Sequence, residues 1–181
     1  MSVLQLFNVL KPFFKTTYSI SNLYNTILVY KKIRRGTIVD IKKSNAKLFE
    51  EILIKYKINY HINLNYRSRN ILFFISSKKI SKSDIENIES ANNLEIGKFL
   101  GYPVPYDINN RVKRRGVSIV FTDNNNKQFT LFAYFIPLKD FNIENINKSL
   151  ILVNKIKEFV VKYKLFNGSV KLSIDDKILV N

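Results

Sequence analysis

Seven arginines carry the most specific chemistry in this chain. They fall in three groups: Arg34 with Arg35, Arg67 with Arg69, and Arg111 with Arg114 and Arg115. Two groups read Arg-Arg-Gly directly before an apolar run, as RRGTIV and RRGVSIV. A guanidinium is planar and can donate two parallel hydrogen bonds to a phosphate, a fit that the point charge of lysine lacks. With Lys113 inside the third group, the candidate phosphate-binding set is Arg34, Arg35, Arg67, Arg69, Arg111, Lys113, Arg114 and Arg115. The bland alternative is that these charges only keep strand ends soluble. Lysines are scattered along the chain, whereas each arginine group falls at an expected strand boundary or hairpin turn. The expectation is therefore that at least two groups share one side of the fold and bind phosphate there.

The overall charge supports a polyanionic partner. Lys+Arg number 30 against 14 Asp+Glu, a formal net charge of +16. Such a field attracts nucleic acid or an anionic membrane surface. No acid precedes Asp40, and the stretch before it mixes Lys11, Lys15, Lys31, Lys32, Arg34 and Arg35 with apolar residues. That pattern suits an import presequence or an interfacial helix. The use of lysine over arginine favours helices that are retained and belong to the fold.

Enzyme chemistry finds no support. The chain has no cysteine and a single histidine, His61, so thiolate catalysis, disulfides and Cys- or His-rich metal sites are excluded. There is no glycine-rich phosphate loop, no G-x-S-x-G elbow and no H-E-x-x-H pair. His61 alternates with asparagines and reads as a surface residue. Glu50-Glu51 reads as the solvated face of a helix and Asp175-Asp176 as a turn. The expectation is a non-enzyme with no metal, no cofactor and no small-molecule substrate.

The elements that must position the arginines follow from periodicity. Helices are predicted over residues 3–14, broken at Pro12, and over about Ser19 to Ile33. A short strand follows Gly36, and a helix spans Lys43 to Tyr56, with Leu48, Phe49, Ile52, Leu53 and Tyr56 on one face. Ile58 to Tyr66 alternates apolar and polar residues, which places Ile58, Tyr60, Ile62 and Leu64 in the core opposite Asn59, His61 and Asn63. NILFFI at residues 70–75 suits a strand covered on both faces. Ser83 to Leu100 reads as one helix, with a capping box from Ser83 to Glu86 and a stop at Gly101 and Pro103. A second hairpin joins Val117–Thr122 to Phe129–Ile136 around an asparagine-rich turn. A long helix lined by Ile143, Ile146, Leu150, Val153, Val160 and Tyr163 runs to Asn167-Gly168, and a last strand pair follows.

The fold class is thus α+β: an antiparallel sheet built from hairpins in the order ββα-ββα-ββ, with helices packed on it. Residues 1–35 form a basic N-terminal helical segment and residues 36–181 a single domain. The function expected is that of a non-catalytic, basic nucleic-acid-binding component of a larger assembly. RNA is favoured over DNA, and backbone contacts over base reading. Abundant Ile, Asn and Lys suggest an AT-rich genome. An organellar, ribosomal-type protein would fit, with a mitochondrial or other intracellular organellar location. The alternatives are a structural or core protein of a large AT-rich virus, located in the virion, and a membrane-surface protein docking through its N-terminal helix.

Overall fold

The computed structural model describes residues 2–15, 17–63, 69–90, 93–103, 105, 113–175 and 177–179. Six helices and seven strands among them give an α+β fold: α1 (Val3–Leu10), α2 (Thr17–Tyr30), β1 (Gly36–Lys42), α3 (Lys43–Lys55), β2 (Asn59–Asn63), β3 (Asn70–Ser76), α4 (Lys82–Glu89), α5 (Asn93–Leu100), β4 (Arg114–Asp123), β5 (Gln128–Pro137), α6 (Ile143–Lys162), β6 (Gly168–Ile174) and β7 (Lys177–Leu179). The strands form two antiparallel sheets where one was expected, in the orders β1-β3-β2 and β5-β4-β6-β7. The contacts divide the chain into two compact units, Met1–Gly101 and Tyr102–Asn181. That division falls inside the stretch that reads as one domain.

In the first unit β3 is the central strand and is buried on both sides, as its continuous apolar run demands. Phe73 packs edge-on against Phe49 of α3, with ring centroids 5.0 Å apart. Phe74 faces the other way and forms a buried cluster with Ile88 of α4 and Phe99 of α5. The N-terminal helices belong to this unit: α2 packs on β1 and β3, and α1 packs on α2 and α3.

The first hairpin departs from its alternation. β2 is an edge strand, and Ile62 is only half-buried, whereas Phe73 and Ile75 opposite Ile62 and Tyr60 are fully buried. Leu64 to Tyr66 lie outside the described residues. His61 is not an open surface group either. It pairs across the sheet with Phe74, on the side that α4 and α5 cover, and its Nε2 lies 3.6 Å from Oε1 of Glu89.

The helix expected over Ser83 to Leu100 is two helices. The N-terminal box is set two residues earlier, where Ser81 and Asp84 exchange side-chain-to-backbone hydrogen bonds. Gly101 does end α5 in the left-handed region, at φ +71°.

In the second unit α6 covers one face of the sheet, and the buried hydroxyl of Tyr134 donates to Ser149. Ile143, expected in the helix stripe, is exposed, and the buried side is Ser149, Leu152, Val153, Ile156, Phe159 and Val160. α6 also ends before Asn167-Gly168, with Lys164 already at positive φ. The β4–β5 hairpin forms as expected, and Asn126 takes the positive φ its turn requires.

Burial orders the stabilities of this core. Phe73→Ala should cost about 3–5 kcal/mol in a denaturant melt, because it empties the two-sided centre of the sheet. Ile62→Ala, on the half-buried edge, should cost less than half of that.

Candidate nucleic-acid interface

The arginines are used differently from one another. Arg34 is buried, at 4% exposure. Its guanidinium donates to Oδ1 of Asn25 on α2 and to the carbonyl oxygen of Leu100, 3.0 Å away at the end of α5. The Arg-Arg-Gly sequence has a steric reason at this point. A Cβ on Gly36 would lie 2.6 Å from the carbonyl oxygen of Phe99, so only glycine lets the end of α5 approach β1 this closely. Arg34 therefore holds the fold and is not presented to a phosphate.

Arg35 is half-exposed and lies 3.5 Å from Asp84, while its carbonyl accepts from the backbone N–H of Ser77. The Ser81 hydroxyl and then the Ser81 backbone N–H, with a smaller contribution from Arg35, hold the Asp84 carboxyl below its ordinary value.

Arg69 is exposed, and its carbonyl accepts from the N–H of Lys43. Arg35 and Arg69 do not converge. Gly36 pairs with Ser76 at one end of the sheet and Lys42 with Asn70 at the other. Seven strand residues separate the two ends, roughly 20 Å. Arg67 and Arg111 lie outside the described residues.

In the second unit Lys113 is exposed, and the guanidinium of Arg114 stacks 4.3 Å above the Phe135 ring. Arg115 pairs with Oδ2 of Asp175, whose Oδ1 accepts from the N–H of Gly116 at 2.8 Å. The turn that was expected at Asp175 thus clamps the start of β4, and Asp176 lies outside the described residues. The Glu50 carboxylate is engaged as well. Burial, and then the hydrogen bond it gives to Glu50, push the Tyr60 phenol up to about 12. Among the described residues no group of three potential metal ligands comes together, and no helix is long and apolar enough to cross a membrane.

An open cleft is lined by lysines. A cleft of about 550 Å³ lies along the outer edge of β1, where that strand runs directly into α3. Local sequence explains its shape. Pro12 starts a short 3-10 turn after α1, and Phe13 and Phe14 pin that turn edge-on against Phe49 of α3. Lys15 and Lys42 line the cleft, together with the amides Asn22, Asn45 and Asn70. Lys11, Lys43 and Arg69 are exposed next in sequence to lining residues, and Lys47 is exposed one turn beyond Lys43 on α3. Among the described residues none of these five lysines joins an ion pair.

Lys42 and Asn45 belong to the start of α3, so the positive end of the helix dipole opens on the same place. One acid lines the cleft, Asp40, and the Asn70 amide donates to it at 3.1 Å. The other acids near this sheet are Glu50 and Glu51 on α3 and Asp84, Glu86, Glu89 and Glu95 on α4 and α5. No family of proteins, no curated protein and no solved structure matches this chain.

Two outcomes follow for the arginine network. Arg34→Met removes the hydrogen bonds to Asn25 and to the Leu100 carbonyl and should lower unfolding stability by about 2–4 kcal/mol, whereas Arg35→Met should cost under about 1 kcal/mol. Because the Asp84 pKa is depressed on folding, its contribution is full above the ordinary aspartate range and is lost as pH falls through the lowered value. Ser81→Ala should move that titration upward, read as the Asp84 carboxyl shift by NMR.

Proposed function

We propose that this chain is a non-catalytic nucleic-acid-binding component of a larger assembly, binding RNA in preference to DNA, and that the cleft beside β1 and α3 is its principal phosphate-binding surface. The observation that supports this most is that Lys15 and Lys42, both exposed and in no ion pair among the described residues, line a polar cleft at the positive end of a helix, with Lys11, Lys43 and Lys47 close by in the chain. A cation already held by a carboxylate contributes little to a phosphate contact. Arg34, Arg35 and Arg115 are held in that way or buried, while the cleft lysines are not. Each lysine that neutralises a phosphate releases condensed counterions, so affinity should depend steeply on salt.

The test is fluorescence anisotropy with mixed-sequence single-stranded RNA at low and moderate salt. The intact chain should bind at low salt and lose affinity steeply as salt rises. Replacing Lys15 and Lys42 together by Ala should weaken binding and flatten the slope of log affinity against log salt by about 1.4, from about 0.7 per lost contact. Replacing Lys78 and Lys79, beyond the opposite end of the sheet, removes equal charge and should change the slope little. No binding at low salt would defeat the proposal.

A further inference from the structure

The cleft contains more than a phosphate site needs, and that surplus supports a second step that rests on the proposed RNA binding. Phosphate recognition calls for cations and N–H donors. Here three side-chain amides and one carboxylate line the same concavity, and Phe13 forms part of its wall. The volume lies within the range of small-ligand sites, about 300–1,000 Å³. A concavity of that size admits one base with its sugar, and a base reaches it only when unpaired.

We infer that the cleft is a pocket for a single unpaired RNA nucleotide whose base presents an amino group beside a ring nitrogen, with adenine as the probe. An amide side chain presents a donor and an acceptor side by side, matching the N6 amino group and N7 of adenine. Asp40 offers carboxylate oxygens that accept from an amino group and that repel the carbonyl oxygens of uracil. Its orientation is fixed by the Asn70 amide at 3.1 Å. Phe13 is half-buried and braced edge-on against Phe49, with centroids 5.3 Å apart, so its position is set before any base arrives. Aromatic side chains stack on unpaired bases whatever their identity. Stacking would thus hold the base while the amides and Asp40 select it, and Lys15 and Lys42 at the rim take the flanking phosphates.

The experiment compares oligoadenylate, oligouridylate and an RNA duplex of equal length by anisotropy at fixed low salt. Oligoadenylate should bind about tenfold more tightly than oligouridylate, and the duplex should show no gain over oligouridylate. Asn45→Ala, at an exposed position, and Phe13→Leu, which keeps the packing volume against Phe49, should reduce the preference and leave the salt slope unchanged. Adenosine 5′-monophosphate titrated into the unaltered chain should shift the amide side-chain NMR signals of Asn22, Asn45 and Asn70 more than uridine 5′-monophosphate does. This reading does not depend on how any variant folds. Equal affinity for all three RNAs with the steep salt slope intact, or equal shifts with both nucleotides, would overturn the base pocket and leave the phosphate surface standing. Loss of RNA binding altogether would overturn both.

Discussion

The first unit depends on one buried guanidinium. Arg34 joins α2, through Asn25, to the last turn of α5, through the carbonyl of Leu100. These elements lie far apart in the chain, and the sheet lies next to both. A helix end has carbonyls with no partner within the helix, and a buried charge is tolerated only when it is hydrogen-bonded. Each requirement here satisfies the other. Gly36 makes the approach possible because it carries no Cβ to meet Phe99, and Gly101 reverses the chain straight afterwards at positive φ. With α5 fixed in this way, Phe99 covers Phe74 and the central strand is apolar on both faces.

That arrangement divides the cations by role. Arginine is the cation suited to buried or multiply bonded positions, because its fork reaches two acceptors at once and is weakly hydrated. Arg34 is used so. Arg115 is half-exposed, however, so its pair with Asp175 adds little stability and serves mainly to fix the turn against β4. Lysines keep their charge in water and their side chains mobile, which suits a surface that meets an irregular polyanion. Among the described residues the lysines beside β1 and α3 join no ion pair: Asp40 in the cleft accepts from the Asn70 amide, and the other acids of this unit lie on α3, α4 and α5.

Much of the fold was legible where a local rule is also the global one. The apolar run 70–75 is a doubly covered strand, the asparagine-rich turn closes the β4–β5 hairpin, and Gly101 stops a helix. Misreadings arose where neighbours decide. Alternation over Ile58 to Leu64 cannot distinguish an edge strand from a central one, so Ile62 was given too much burial. Ser81 and Ser83 offer equivalent capping spacing, and the hydrogen bonds form at Ser81. Arg34 departs from the phosphate reading for a related reason. Arg-Arg-Gly reads as a phosphate signal, yet glycine is needed at Gly36 to admit a helix end, and that helix lies more than fifty residues further on. The cleft left no trace in sequence, since its residues run from Pro12 to Asn70 and its lysines look like the rest.

The proposed binding role of the cleft lysines can be measured at every lysine at once. Amine acetylation of the intact chain, with and without single-stranded RNA, read by peptide mass spectrometry, gives the protection of each side chain. Protection should concentrate on Lys11, Lys15, Lys42, Lys43 and Lys47, with Lys78, Lys79, Lys155 and Lys157 modified equally in both samples. Protection spread evenly over all lysines, or centred on Lys113 and Lys139, would contradict it.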